Sequence, residues 1–112
     1  VGVDNVLNVP LPEGTGSQAF RDVIERVVLP RLDDFAPELI IVSAGFDAHQ
    51  DDPLAGMNLQ TADFAWVTEK LCDVADRHCQ GRLVSSLEGG YDLEALGASA
   101  AAHVKVLEER GR

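Results

Sequence analysis

Two cysteines, Cys72 and Cys79, are all that the chain contains. They cannot make a disulfide framework or a zinc site built from cysteine alone. Seven residues apart on one helix, they would sit roughly 10 Å apart along its axis, too far for a bridge. Reduced thiols follow, which fits a cytoplasmic protein. Basic residues are scarce as well, with nine Lys and Arg against nineteen Asp and Glu and a formal charge of -10. That balance repels phosphate backbones and disfavours nucleic-acid binding through a basic surface; a cationic substrate or partner suits it better. Long apolar runs are missing too. A run such as Leu39 to Val42, which none exceeds, is far too short to span a bilayer, and no basic stretch followed by an apolar signal core opens the chain. There is no internal repeat and no low-complexity segment. What remains is an ordinary globular composition, 46% hydrophobic over 112 residues, which predicts one domain over residues 1–112 with one modest core.

The pattern along the chain alternates strand and helix. Val3 to Val9 is short and β-branched and ends at Pro10, Pro12 and the turn-forming Glu13-Gly14-Thr15-Gly16, so it reads as a strand and loop. Ser17 has the chemistry of a helix N-cap. Phe20, Val23, Ile24, Val27 and Val28 recur behind it at helical spacing, and Pro30 should kink or end that helix. Pro37 closes the unit. Leu39-Ile40-Ile41-Val42 then reads as a strand buried on both faces. After a long loop from Ala44 to Gln60, Thr61 caps a second helix whose apolar stripe is Phe64, Val67, Leu71, Val74 and Ala75, and Gly81 marks its end. Arg82 to Leu87 reads as a third strand, Gly89-Gly90 as a tight turn, and Leu93 to Glu109 as an alanine-rich third helix. The order β-α-β-α-β-α predicts an α/β fold with a parallel sheet and helices on its faces.

Open parallel sheets build their sites beyond the carboxyl ends of the strands. Three loops qualify here: Pro10 to Gly16, Ala44 to Gln60, and Glu88 to Tyr91. The second carries Asp47, His49, Asp51 and Asp52 within six residues, donors suited to a divalent metal but equally at home in a turn where Asp binds nearby amides. Pro53 biases Asp52 towards an extended backbone, with its carboxylate held outward from the rim. The third, Glu88-Gly89-Gly90-Tyr91, pairs glycines that let backbone approach a ligand with a phenol that can donate to a developing oxyanion. A lone tyrosine more commonly packs at the surface with its hydroxyl in water. His78 reads as a helix-end residue and His103 as a solvated or half-buried one. Gly14-Thr15-Gly16-Ser17 could offer helix-terminal amides to an anion, but the phosphate-loop lysine and the full dinucleotide fingerprint are both missing.

Taken together and in this order, Gly45-Phe46-Asp47-Ala48-His49, Asp52-Pro53-Leu54 and Glu88-Gly89-Gly90-Tyr91 resemble the C-terminal part of the catalytic domain of histone deacetylases, more the class II and bacterial amidohydrolase-like type. Asn8-Val9-Pro10-Leu11-Pro12 and Phe35-Ala36-Pro37-Glu38 extend the resemblance over essentially the whole chain. It implies the arginase/deacetylase-like three-layer α/β fold and one zinc ion bound by two aspartates and a histidine. By that resemblance Asp52 is a zinc ligand, and Tyr91 stabilises the tetrahedral oxyanion. Leu59 lines the acyl-lysine tunnel, Gly89 and Gly90 flank the bound acyl chain, and Asp47 and His49 belong to the motif without ligating zinc. The substrate class is acetyl-lysine or a related acylated amine, and an apolar Leu59 disfavours polyamines.

The family's other aspartate and histidine ligands and its histidine pair have no counterpart in these 112 residues. The expectation is therefore part of an enzyme, inactive alone, whose unpaired sheet edge and apolar surface associate with a missing N-terminal part of the catalytic domain or with a second copy. The alternative is a non-catalytic binding or scaffold module that retains the fold.

Overall fold

Phe20, Val23, Ile24 and Val28 place an apolar stripe on one side of a helical run that begins where Thr15 ties its backbone N–H to the Pro12 carbonyl, 3.2 Å away. In the computed structural model, which describes residues 6–12, 14–45, 59–88 and 93–111, this run is α1 (Ser17–Val23), a π-helical turn (Ile24–Val28) and α2 (Leu29–Phe35). Pro30 does not end it: helix continues beyond the proline to Phe35. Proline lacks an N–H and crowds the carbonyl four residues back. The wider π turn just before it, in which the Leu29 N–H reaches the Ile24 carbonyl, lets the helix pass through the proline. It stops at Ala36, whose φ of 54° is left-handed, and the buried Pro37 follows.

Two strands form a parallel pair, β1 (Ile40–Ala44) and β2 (Leu83–Leu87), in register from Ile40 beside Leu83 to Ala44 beside Leu87. Between them runs α3 (Thr61–His78), and α4 (Leu93–Arg110) follows β2. The described order is thus helix, strand, helix, strand, helix. The expected first strand does not form over residues 6–9, and its remainder, residues 3–5, lies outside the described residues. Most of the long loop, residues 46–58, lies outside them too. The helix caps also differ by one residue from expectation. Gly16 rather than Ser17 precedes α1, and Gln60 rather than Thr61 precedes α3, because Asp63 takes the Gln60 backbone N–H at 2.8 Å and thereby fixes where the helix begins.

The core divides in two along α3. Ile40, Val74, Ala75 and Cys79 pack with Leu29, Leu32 and Leu83; Ala44, Leu59 and Phe64 pack with Phe20, Leu96 and Ala100, with Val42 touching both groups. Both cysteines are free and buried, and burial pushes the Cys72 thiol pKa up. Alternate residues of β1 tell a different story. Ile41 is 70% exposed and its register partner Val84 57%, so the described helices cover one face of the sheet and leave the other bare. The expectation of a strand buried on both faces fails at this point: an unbroken apolar run gives both faces of a strand the same chemistry, and only the inner one is covered here.

Candidate functional site

Parallel pairing sets the geometry of the rim. Ala44 and Leu87, the last residues of the two strands, are register partners, and the Glu88 N–H donates to the Ala44 carbonyl at 2.8 Å, extending the ladder by one bond. Both chemistry-bearing loops therefore leave the same edge from adjacent positions. Asp52, Gly89, Gly90 and Tyr91, the expected zinc ligand, acyl-chain neighbours and oxyanion donor, lie outside the described residues, as do Asp47 and His49.

Leu59, where the first of these loops returns, is described. It is 1% exposed, packed against Ala44 and Phe64, and it lines a cavity of about 290 Å³ together with Phe20, Val42, Gly45 and His103. That cavity adjoins the carboxyl end of β1. A larger one, about 540 Å³, lies between residues 7–11 and the helical run, with Phe20, Ile24 and Phe35 in its wall. Its lining is apolar apart from Arg31, so it lacks the convergent polar groups that a catalytic cleft needs.

Among the described residues no three His, Cys, Asp or Glu side chains gather as a metal would require. The two described histidines are engaged elsewhere. His78, at the end of α3 as expected, has Nε2 2.9 Å from Asp33, which Arg77 also holds at 2.9 Å. The Arg77 and His78 hydrogen bonds keep the Asp33 carboxyl below its usual range. The described residues therefore do not make a zinc site by themselves, and an acidic ligand from the 46–58 loop would need others beside it.

His103 departs from expectation. It is buried at 7% exposure, with Nδ1 2.7 Å from Thr68 Oγ1 and Nε2 2.8 Å from Ser85 Oγ. The tautomer follows from the third bond in the chain. Thr68 donates its one proton to the Phe64 carbonyl at 2.6 Å, so it must accept from Nδ1–H, which leaves Nε2 as acceptor for the Ser85 hydroxyl. Burial lowers the His103 pKa below 6.5. The signal was present in the sequence. Ser99, His103 and Val106 recur at helical spacing and are all buried, but an alanine-rich helix has low contrast between its faces.

Stability should respond to this neutral histidine. Above pH 6.5 neither the folded nor the unfolded form of His103 is protonated. As pH falls below that value the unfolded chain takes up the proton and the folded one resists, so stability drops by up to roughly 1.4 kcal/mol per pH unit until the folded pKa is reached. Urea midpoints between pH 7.5 and pH 5 should fall accordingly, and less steeply in His103→Gln. An equal slope in that variant would place the effect elsewhere.

A second hub was also missed. Asp63, in the first turn of α3, is fully buried and accepts from Arg21 Nε at 2.8 Å, from the Gln60 N–H and from the Ser17 hydroxyl. It joins the start of α3 to the start of α1.

Comparison with known proteins agrees with the geometry. A family model for the histone deacetylase domain matches residues 1–107. Over 100 residues the chain is 45% identical to histone deacetylase 10, chloroplastic, of Oryza sativa subsp. japonica, covering 89% of this chain and 23% of that protein. Over 85 residues it is 49% identical to a histone deacetylase-like amidohydrolase of Pseudomonas aeruginosa, covering 76% and 22%. Among solved structures, the HD domain of HDA15 superposes with a TM-score of 0.78 at 38% identity, covering 86% of this chain and 26% of that one. The chain spans about a quarter of the length of these relatives. Matched by the domain model over nearly all its length, the chain belongs to the histone deacetylase family.

Proposed function

We propose that these residues form the C-terminal part of the three-layer catalytic domain of a zinc-dependent deacetylase, an amidohydrolase acting on acetyl-lysine or a related acylated amine. The observation that carries this reading is the adjacency of Ala44 and Leu87 at the carboxyl edge of the parallel pair. It starts the Asp52 loop and the Tyr91 loop side by side, which one acyl group held between them requires. Zinc, when bound, polarises the acyl carbonyl and makes water easier to deprotonate near neutral pH. Asp52 would be one of its ligands. The chain's own part in the reaction is Tyr91, whose phenol donates to the carbonyl oxygen as charge develops there. Gly89 and Gly90 leave room for the acyl chain, and Leu59, lining an apolar cavity at the same edge, suits an aliphatic lysine arm better than a polycation.

These residues supply one zinc ligand and no histidine pair, so they do not deacetylate alone. The bare face at Ile41 and Val84, on a chain a quarter the length of its relatives, supports the reading that the rest of the catalytic domain or a second copy packs there. Two buried free thiols suit a reducing compartment such as the cytoplasm, and no helix among the described residues is long and apolar enough to cross a membrane.

The test compares the product of the complete reading frame with the 112 residues alone. The first should release acetate from an acetyl-lysine peptide and retain zinc on elemental analysis; the second should do neither. A complete product that holds no zinc and leaves the peptide intact would sink the reading. Turnover by the short chain, with contaminants excluded, would sink its incompleteness.

A further inference from the structure

The loop that carries Tyr91 is held between two elements, β2 ending at Leu87 and α4 beginning at Leu93. Whatever fixes the strand against the helix fixes both ends of that loop. The inner face of β2 meets α4 through one directional contact among the described residues, Ser85 Oγ to His103 Nε2 at 2.8 Å. The other side of the same ring is fixed by Thr68 of α3 at 2.7 Å, itself anchored on the Phe64 carbonyl. The imidazole is therefore buried, held in one tautomer and bonded at both nitrogens, so it cannot turn to follow a shift of the strand without losing a bond. Van der Waals contacts of Leu96 and Ala100 with the Ala44–Leu59–Phe64 cluster hold the helix near the sheet but do not set its slide along it. Arg110 secures the far end of α4 through Glu69, Asp73 and Asp76, at 2.6, 2.8 and 2.7 Å.

We propose that His103 is a positioning residue for the deacetylase reaction: through Ser85 it locks β2 to α4, the two elements that flank Tyr91 in sequence. This rests on the assignment of Tyr91 given above. Ser85 lies six residues before that tyrosine and His103 twelve after it, and neither need touch substrate. The contact acts through geometry, and angstrom-scale misplacement of a reacting group is enough to slow a reaction substantially.

The experiment uses the product of the complete reading frame and acetyl-lysine peptide. Ser85→Ala and His103→Leu should each lower kcat about tenfold or more, on the scale of angstrom misplacement, with KM within about twofold. The double variant should lose no more than either single one, since both remove the same bond. His103→Gln, which can still accept from Ser85 and donate to Thr68, should recover most of the rate. Arg110→Gln, which loosens the opposite end of α4, should lower stability and leave kcat unchanged. Amide exchange over residues 88–92 should quicken in Ser85→Ala and not in Arg110→Gln. The proposal is overturned if kcat and loop exchange are unaltered in Ser85→Ala, or if Arg110→Gln slows turnover as much. Should Tyr91→Phe slow the enzyme while the Ser85 and His103 variants do not, the positioning role alone fails. Should the unmutated protein not deacetylate, the functional reading fails, and the exchange measurement still decides whether His103 holds the loop.

Discussion

Tyr91→Phe in the complete protein should lower kcat by about 10²–10³, the loss of about 2.7–4 kcal/mol that follows removal of one oxyanion donor. Phenylalanine keeps the ring and whatever it packs against and deletes only the hydroxyl. At neutral pH a phenol is a hydrogen-bond donor, its ordinary pKa being about 10. Its bond to an amide carbonyl is weak in the ground state and strengthens as the oxygen becomes an oxyanion, so the loss falls on kcat and leaves KM within about twofold. The thermal midpoint should be unchanged. Steady-state kinetics on an acetyl-lysine peptide settles the matter. An undiminished kcat would mean that the chain's one tyrosine lies at the surface with its hydroxyl in water, and the Gly89-Gly90 turn would then need a different explanation.

The amphipathic helices were the most legible part of the fold. Phe64, Val74 and Ala75, named from spacing alone, are all buried in α3, and the apolar run at Leu39–Val42 located β1 to within two residues. What the run could not show is which face is covered. Ile40 and Ile41 have the same chemistry, yet one is buried and the other 70% exposed, because coverage depends on what packs against the sheet. Pro30 does not end its helix, for a local reason. Its missing N–H is a certain fact of sequence, but the π turn that accommodates it is a response of the whole helix.

Chemistry and packing were legible in opposite ways. Asp52, Gly89, Gly90 and Tyr91 stand out by motif in stretches of sequence with no periodicity, whereas Asp63 and His103 sit in regular helices where a polar residue reads as solvent-facing. Both instead point inward and join elements distant in sequence: Asp63 to Arg21, and His103 to Thr68 and Ser85. Spacing places such a residue on a face of its helix. It does not reveal the partner that makes burial tolerable, and that partner decides whether a buried polar group stabilises the fold or destabilises it.

Asp63→Ala should cost about 3 kcal/mol, on the scale of about 1.5–3 kcal/mol for each hydrogen bond to a charged group, discounted for the exposure of Arg21. Three donors lose their acceptor together: Arg21 Nε, the Ser17 hydroxyl and the Gln60 N–H. Arg21 is the least serious of the three, because its side chain is 35% exposed and water replaces part of the lost partner. Burial alone would push the Asp63 pKa up. The bonds from Ser17, the Gln60 backbone and Arg21 outweigh it and hold the carboxyl below 3.8. The sign of the pH dependence follows. A carboxyl whose pKa is depressed on folding contributes its stabilisation fully above the unfolded value, and that contribution is lost as pH falls through the folded one. Urea midpoints for the unmutated protein and Asp63→Asn, which preserves shape but offers one acceptor oxygen where the carboxylate offers two, should therefore differ most near neutral pH and converge well below pH 3.8. Arg21→Ala should cost less, since the buried Asp63 carboxylate keeps the Ser17 hydroxyl and the Gln60 N–H as donors. A small cost for Asp63→Ala would show that α1 and α3 are held together by Phe20 and Phe64 packing in one apolar cluster, with the ion pair adding only direction.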